Sequence, residues 1–213
     1  MSGLYHRNYS SLESLIDVNF TDLADGEAPV YNSTTGVFEN QSVGGSLACA
    51  VITETKATSG SSSVAFTANT TSTKKRQLNT VVNSGLSITL TGSPDFNFTI
   101  PTAGTYLFKG RAFIRANSVD SQYITSKLVL NNQSLGLTSV IVGDSAYIGL
   151  IHSSTSVENF LVHLDGIYTI TGTTVFSLDQ ITYTQSIAAN GGVGNGLGGY
   201  TETFASLVIT KIA

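Results

Sequence analysis

Apolar and polar residues alternate with a period of two along much of the chain beyond residue 85. Leu86-Ser87-Ile88-Thr89-Leu90-Thr91 and Phe96-Asn97-Phe98-Thr99-Ile100 both follow the pattern of a half-buried strand. Tyr106 to Ile114, Lys127 to Leu130, Phe160 to Leu164 and Thr203 to Ile212 do the same. Thr, Val, Ile, Tyr and Phe dominate these runs, as suits a pleated surface with one buried face. Turn signals punctuate them: Asn83-Ser84-Gly85, Gly92-Ser93-Pro94-Asp95, Ala103-Gly104, Asn131-Asn132-Gln133, Gly143-Asp144, Asp165-Gly166 and Thr171-Gly172. Short strands so spaced, at about 8 to 12 residues, predict an all-β sandwich or barrel.

The first 44 residues are patterned differently. Ser10 to Ile16 carries a short helical pattern with Ser10 or Ser11 as cap. Asp25-Gly26 and Thr35-Gly36 are turns in a segment too small for a core of its own. Gly44-Gly45-Ser46 is a hinge, which divides the chain into an N-terminal arm, 1–44, and a β head, 45–213. Thr58 to Ser63 is a loop early in the head. Asn190 to Gly199, rich in glycine, is a long loop before the last strand, because glycine brings no side chain to pack and loses the most conformational entropy.

Composition narrows the function. Of 213 residues, 41% are hydrophobic and only 11% are charged, against about 25% charged in ordinary soluble domains. That excludes a charged coiled coil and a polyelectrolyte disordered chain. The net charge of −4 supplies no basic field for nucleic acid. Cys49 is the single cysteine, so neither an intrachain disulfide nor a cysteine zinc site is expected, and Cys49 itself reads as a small buried hydrophobe. No apolar run reaches the roughly 18 residues of a membrane span. The N-terminus lacks the apolar core of a secretory signal. A mean hydropathy of +0.16 with so little charge predicts that apolar area is hidden in a thick core and in subunit interfaces.

Two stretches carry a resemblance. Leu15-Ile16-Asp17-Val18 together with Leu23-Ala24-Asp25-Gly26-Glu27-Ala28-Pro29-Val30-Tyr31-Asn32-Ser33-Thr34-Thr35-Gly36-Val37-Phe38-Glu39-Asn40 resembles the connector of bacteriophage tail fibres and other virion proteins, with Phe38 where that pattern has tryptophan. Phe98-Thr99-Ile100-Pro101-Thr102-Ala103-Gly104-Thr105-Tyr106-Leu107-Phe108, with the closing Phe204 to Ile209, is similar to the C1q/TNF-like jelly roll. Without the resemblance, Pro101 ends a strand because it cannot donate to a ladder, and Gly104 permits the turn. Tyr106 and Phe108 share a face of the next strand. Around Tyr31 and Phe38, Val30 and Val37 flank a polar turn, giving a small hairpin that has to pack on a neighbour.

Catalytic chemistry finds little support. His152 and His163 with Asp165 lack a Gly-x-Ser-x-Gly elbow, a His-x-His pair or a His-Glu-x-x-His helix. Asp17, Asp22 and Asp25 do not match a calcium loop. Gly194, Gly196 and Gly199 satisfy Gly-x-Gly-x-x-Gly, but a strand pattern follows where a dinucleotide site needs a helix. Asn97-Phe98-Thr99 and Asn132-Gln133-Ser134 are sequons that, without a signal peptide, imply no glycosylation. Lys74-Lys75-Arg76, the only basic run, reads as a solvated loop, with contact to an anionic glycan or acidic partner as its functional alternative.

The resemblances imply a non-enzymatic phage virion protein, assembled in the host cytoplasm without cofactor or metal, and homotrimeric through its jelly roll. In the arm, Leu15, Ile16, Val30, Tyr31, Val37 and Phe38 would attach it to tail, baseplate or capsid proteins. Phe98, Tyr106, Phe108 and Phe204 belong to the core or the trimer interface. Lys74, Lys75, Arg76, Asn131, Asn132, Gln133 and Asn195 are candidate partner-binding loop residues. Two roles stay open: a short fibre or spike whose head binds a host surface receptor or glycan, and a capsid decoration protein. A glycan-degrading spike is a third, needing convergent carboxylates that a sequence does not display.

Overall fold

The computed structural model describes residues 18–19, 27–42, 47–57, 64–116, 122–150, 158–185, 189–191 and 201–213. The chain forms two compact units, Met1–Ser46 and Leu47–Ala213. The short helix expected over 10–16 lies outside the described residues, as do Leu15 and Ile16.

In the first unit, β1 (Val18–Asn19) runs parallel and β2 (Glu27–Asn32) antiparallel to β3 (Val37–Ser42). Asn32 makes the β2–β3 turn. Its side-chain carbonyl accepts from the Thr34 N–H at 2.9 Å, and its backbone carbonyl accepts from the Gly36 N–H at 2.8 Å. Gly36 supplies the left-handed residue, at φ +75°. The Glu39 carboxylate accepts from Asn32 Nδ2 at 2.9 Å and Thr35 Oγ1 at 2.7 Å, tying both sides of the turn. Tyr31 and Phe38 are directly paired, with rings edge to face at 5.4 Å.

The second unit begins with β4 (Cys49–Ala57), β5 (Ala65–Phe66), β6 (Thr70–Lys75), β7 (Thr80–Ser84), β8 (Thr89–Thr91) and β9 (Asn97–Ile100). It continues with β10 (Gly104–Ala116), β11 (Gln122–Asn132), β12 (Leu137–Val142) and β13 (Ala146–Leu150). Then come β14 (Glu158–Ile170), β15 (Thr174–Thr184), β16 (Ala189–Asn190) and β17 (Thr201–Lys211). Every pairing in this unit is antiparallel.

The first sheet runs β14–β10–β17–β4–β7, with β16 and β5 continuing alongside the far end of β10. The second runs from β12 and β13 through β11 and β15 to β6, β9 and β8. The chain passes between them repeatedly: β9 lies in the second sheet, β10 in the first, β11 to β13 in the second, β14 in the first, β15 in the second and β17 in the first. That order is an all-β jelly-roll sandwich.

The core is aromatic at its centre. Phe176 of β15 contacts Phe98 (5.6 Å), Phe108 (5.7 Å) and Tyr168 (5.9 Å), so one ring joins the two sheets. Tyr106 is fully buried and its hydroxyl donates to the Thr102 carbonyl at 2.8 Å, fastening the turn that follows Pro101. Gly104 is required there. At φ +152° an added Cβ would fall 2.7 Å from the Ala213 carbonyl oxygen, whose partner is the Thr105 N–H. A smaller cluster of Val64, Phe66, Ile114, Ile124 and Ala189 fills the other end.

Two local expectations change. Asp165-Gly166 is not a turn but the interior of β14, paired with Lys109 and Phe108. A Cβ on Gly166 would lie 2.5 Å from Ile141 Cγ2, so this glycine makes room for a facing side chain. In the run expected over 86–91, only Thr89–Thr91 joins the ladder. Leu86 and Ile88 are buried ahead of it while the Asn83 amide holds both backbone groups of Ile88, each at 3.0 Å.

Candidate functional site

The strand registers place the outward residues of the first sheet in rows. One row reads Ile167–Leu107–Thr210–Cys49–Ser84. The next reads Asp165–Lys109–Val208–Val51–Val82, and the third His163–Arg111–Ser206–Thr53–Thr80. Leu161 and Phe113 follow as a pair. Ile167 is 61% exposed and Val82 65%, and Val51, Val208 and Leu161 are also exposed. This face is thus a charged and hydroxylated centre with apolar patches beside it. Lys109, Arg111, His163, Asp165 and Val208 line a shallow concavity of about 530 Å³ at its middle. Opposite charges stand directly across from each other at Asp165 and Lys109, an arrangement favourable between neighbouring strands. Arg111 Nε donates to Ser206 Oγ at 3.0 Å, which fixes the guanidinium on the sheet.

The aromatic residues assigned by sequence to core or interface all lie in the core. Phe98, Tyr106 and Phe108 are fully buried, and Phe204 nearly so. The hairpin residues Tyr31 and Phe38 are exposed, Tyr31 at 55%, and Val30 and Val37 are half-buried. Cys49, expected in the core, is only half-buried, because the inward position belongs to its neighbour Ala50.

The basic run is not a solvated loop. Lys74 and Lys75 lie in β6, paired with Gln180 and Asp179. Lys74 is exposed, whereas Lys75 is half-buried and its Nζ donates to Asn97 Oδ1 at 2.9 Å. Arg76 is inside the sandwich at 0% exposure, with Nη2 2.8 Å from Glu54 Oε2. It also donates to the carbonyls of Gly191 (3.2 Å) and Phe204 (3.1 Å) and to Gln180 Oε1 (2.9 Å). Gln180 Nε2 in turn donates to Ser126 Oγ at 2.9 Å, which hydrogen-bonds Thr182. Burial pushes the Arg76 pKa down and the Glu54 carboxylate opposes that push.

Asn131 and Asn132 are also internal, because their side chains build the β11–β12 turn. Asn131 Oδ1 accepts from Ser139 N–H (2.6 Å) and Asn132 Oδ1 from Leu135 N–H (3.1 Å). Gln133 is exposed but donates to Ser177 Oγ at 2.9 Å. Asn195 and His152 lie outside the described residues. His163 faces Arg111 across the outward side of the first sheet. Among the described residues no three His, Cys, Asp or Glu side chains converge as a metal site would need.

No family model and no curated protein matches the chain. Among solved structures it is similar to murine APRIL. The crystal structure at pH 5.0 aligns with a TM-score of 0.45 at 10% identity, over 78% of this chain and 100% of that one. The structure at pH 8.5 aligns with a TM-score of 0.43 at 10% identity over the same shares. The fold assignment stands on the strand order itself.

Proposed function

We propose that the chain is a bacteriophage virion protein of the short-fibre or spike kind, a homotrimer that holds the particle through residues 1–44 and a host surface receptor or glycan through its jelly-roll head. The observation that carries this reading is the hairpin Glu27–Ser42. Its sequence resembles phage connectors, and its tightly bonded turn holds Tyr31 and Phe38 exposed beside each other. Two strands with two exposed rings bury too little to be an end in themselves, and a partner surface would complete them.

The trimer is supported by the rows on the outward face of the first sheet and by the resemblance to a trimeric jelly-roll family. Ile167, Leu161, Val51, Val82 and Val208 would be withdrawn from water there. Three heads on one axis would make weak host contacts multivalent. The function is adhesion rather than catalysis, and its place is the virion.

The test is the copy number of the full chain on purified particles, with its mass in solution. Tens of copies and a trimeric mass are expected. Hundreds of copies would assign the protein to capsid decoration. Its absence from particles, or a mass near the 22.3 kDa of one chain, would overturn the proposal.

A further inference from the structure

The outward face of the second sheet carries three tyrosines that self-association through the first sheet leaves unused. Tyr123 of β11 stacks on Tyr147 of β13, with centroids 5.8 Å apart and planes at 24°, and on Tyr183 of β15, at 5.6 Å and 28°. The registers explain the array. Thr125 is directly opposite both Tyr147 and Tyr183, so Tyr123, two residues earlier on the same face, is diagonal to each. Diagonal neighbours are within reach of aromatic side chains. Carbon atoms in contact lie about 3.5 to 4.0 Å apart. At the observed centroid separations the rings are therefore displaced sideways by about 4 Å, in the offset geometry aromatic pairs prefer. They overlap like shingles, and each leaves part of its face uncovered. Tyr147 is 69% exposed.

The surroundings define what such a surface accepts. The row through the array reads Tyr147–Thr125–Tyr183–Thr71, without a charge. The neighbouring Tyr183 phenol raises the pKa of Tyr123, so the phenol stays protonated. The next outward position on β11 is Lys127, opposite Ile181, so no carboxylate borders the rings on that side. Uncovered π faces, phenol and threonine hydroxyls and a described row without charge complement a ligand that has C–H groups on its faces, hydroxyls at its rim and no charge. Among the described residues an anionic chain would find Lys127 as the one cation next to the rings, too little for the cationic track that polyanions need.

We infer that Tyr123, Tyr147 and Tyr183 form a stacking platform for a pyranose ring of a neutral surface polysaccharide. This rests on the host-binding reading above and gives it a site and a ligand class. The platform is shallow, so a single head binds weakly and a trimer binds through three platforms at once.

The test uses the full chain on immobilised neutral oligosaccharides of glucose, galactose, mannose and N-acetylglucosamine, with sialylated and uronate-bearing ones alongside. Binding to a neutral member, insensitive to salt, is expected. Tyr147→Ala should weaken it by about tenfold or more, while Tyr147→Phe, which keeps the ring, should stay within about threefold. Tyr183→Leu provides a second variant, and thermal melts confirm that each folds. Binding to no neutral sugar, binding confined to acidic ones, or binding indifferent to both Tyr147→Ala and Tyr183→Leu would overturn the inference. So would a change of sedimentation mass in Tyr147→Ala, which would make the array a contact between copies. Absence of the protein from purified particles would remove the virion reading while leaving the sugar result standing, so the two failures are distinct.

Discussion

Arg76 and Glu54 meet at 2.8 Å with both side chains sealed from solvent, and the same guanidinium holds the carbonyls of Gly191 and Phe204. One side chain therefore fixes both flanks of the segment 192–203. Losing either charge leaves the other buried and unpaired, which costs about 3–5 kcal/mol. Arg76→Met should lower stability by that much in urea denaturation. The double variant Arg76→Met/Glu54→Leu should regain a good part of the loss, because an apolar pair of similar volume carries no desolvation cost. Equal stability of Arg76→Met and wild type would show that the pair contributes nothing.

Val208 stands at the centre of the outward face of the first sheet, between Lys109 and Val51. If the chain trimerises through this face as proposed, Val208→Glu should convert the trimer to monomers in sedimentation. The melt of the full chain should fall with it and lose its dependence on protein concentration, since association stabilises the folded state by mass action. A trimeric Val208→Glu would place the association surface elsewhere.

Asp179 titrates against the fold. Burial raises its carboxyl pKa, and the Ser177 hydroxyl at 2.7 Å, the Lys75 ammonium and Asn131 only partly counter this. The folded state then keeps a proton that the unfolded chain has already released, so this contribution is complete below about pH 4 and is lost as pH rises through the folded pKa. The stability of wild type relative to Asp179→Asn should accordingly fall across that window. A difference that is flat or rising with pH would contradict the assignment.

Glu39 behaves in the opposite sense. Hydrogen bonds from Asn32 and then Thr35 lower its pKa, so its contribution is present above the unfolded value near pH 4 and disappears as pH falls through the folded one. Protection factors of the β2 and β3 amides, taken relative to the intrinsic exchange rate at each pH, should fall on acidification, and Glu39→Gln should remove much of that response. Protection in the hairpin that does not change with pH would argue against these bonds.

The sequence disclosed the strands whose inward residues are apolar. Tyr106-to-Ile114 and Phe160-to-Leu164 alternate cleanly because Phe108, Ala112, Val162 and Leu164 all face the core. β15 shows no clean apolar alternation in sequence because Gln180, Thr182 and Thr184 occupy its inward positions, where they serve the Arg76 and Ser126 network or the Thr67 carbonyl. The same network is why the basic run Lys74-Lys75-Arg76 does not behave as its sequence reads. A run of three cations is indistinguishable in sequence from a solvated loop when the buried carboxylate that accepts one of them, Glu54, lies on another strand. Asn131 and Asn132 end β11 and border the turn their sequence signals, but sequence does not show whether amides face outward or close the turn themselves. The tyrosine array was invisible because its members come from β11, β13 and β15 and meet only through register.

The strand in the middle of the first sheet is contributed by the latest of the described segments. β17 is inserted between β10 and β4, and Thr210 pairs with Cys49 from the opposite end of the unit. A nascent chain therefore holds the open side of β4, already paired with β7, without its β17 partner until nearly the whole unit has been made. Folding has to wait for a loop closure over most of its length, the situation in which β proteins are slow and expose unpaired edges. The unit therefore closes only once β17 is available. A chain that stops short of β17 loses the centre of a sheet, not its margin, so truncation there is all-or-none for this unit.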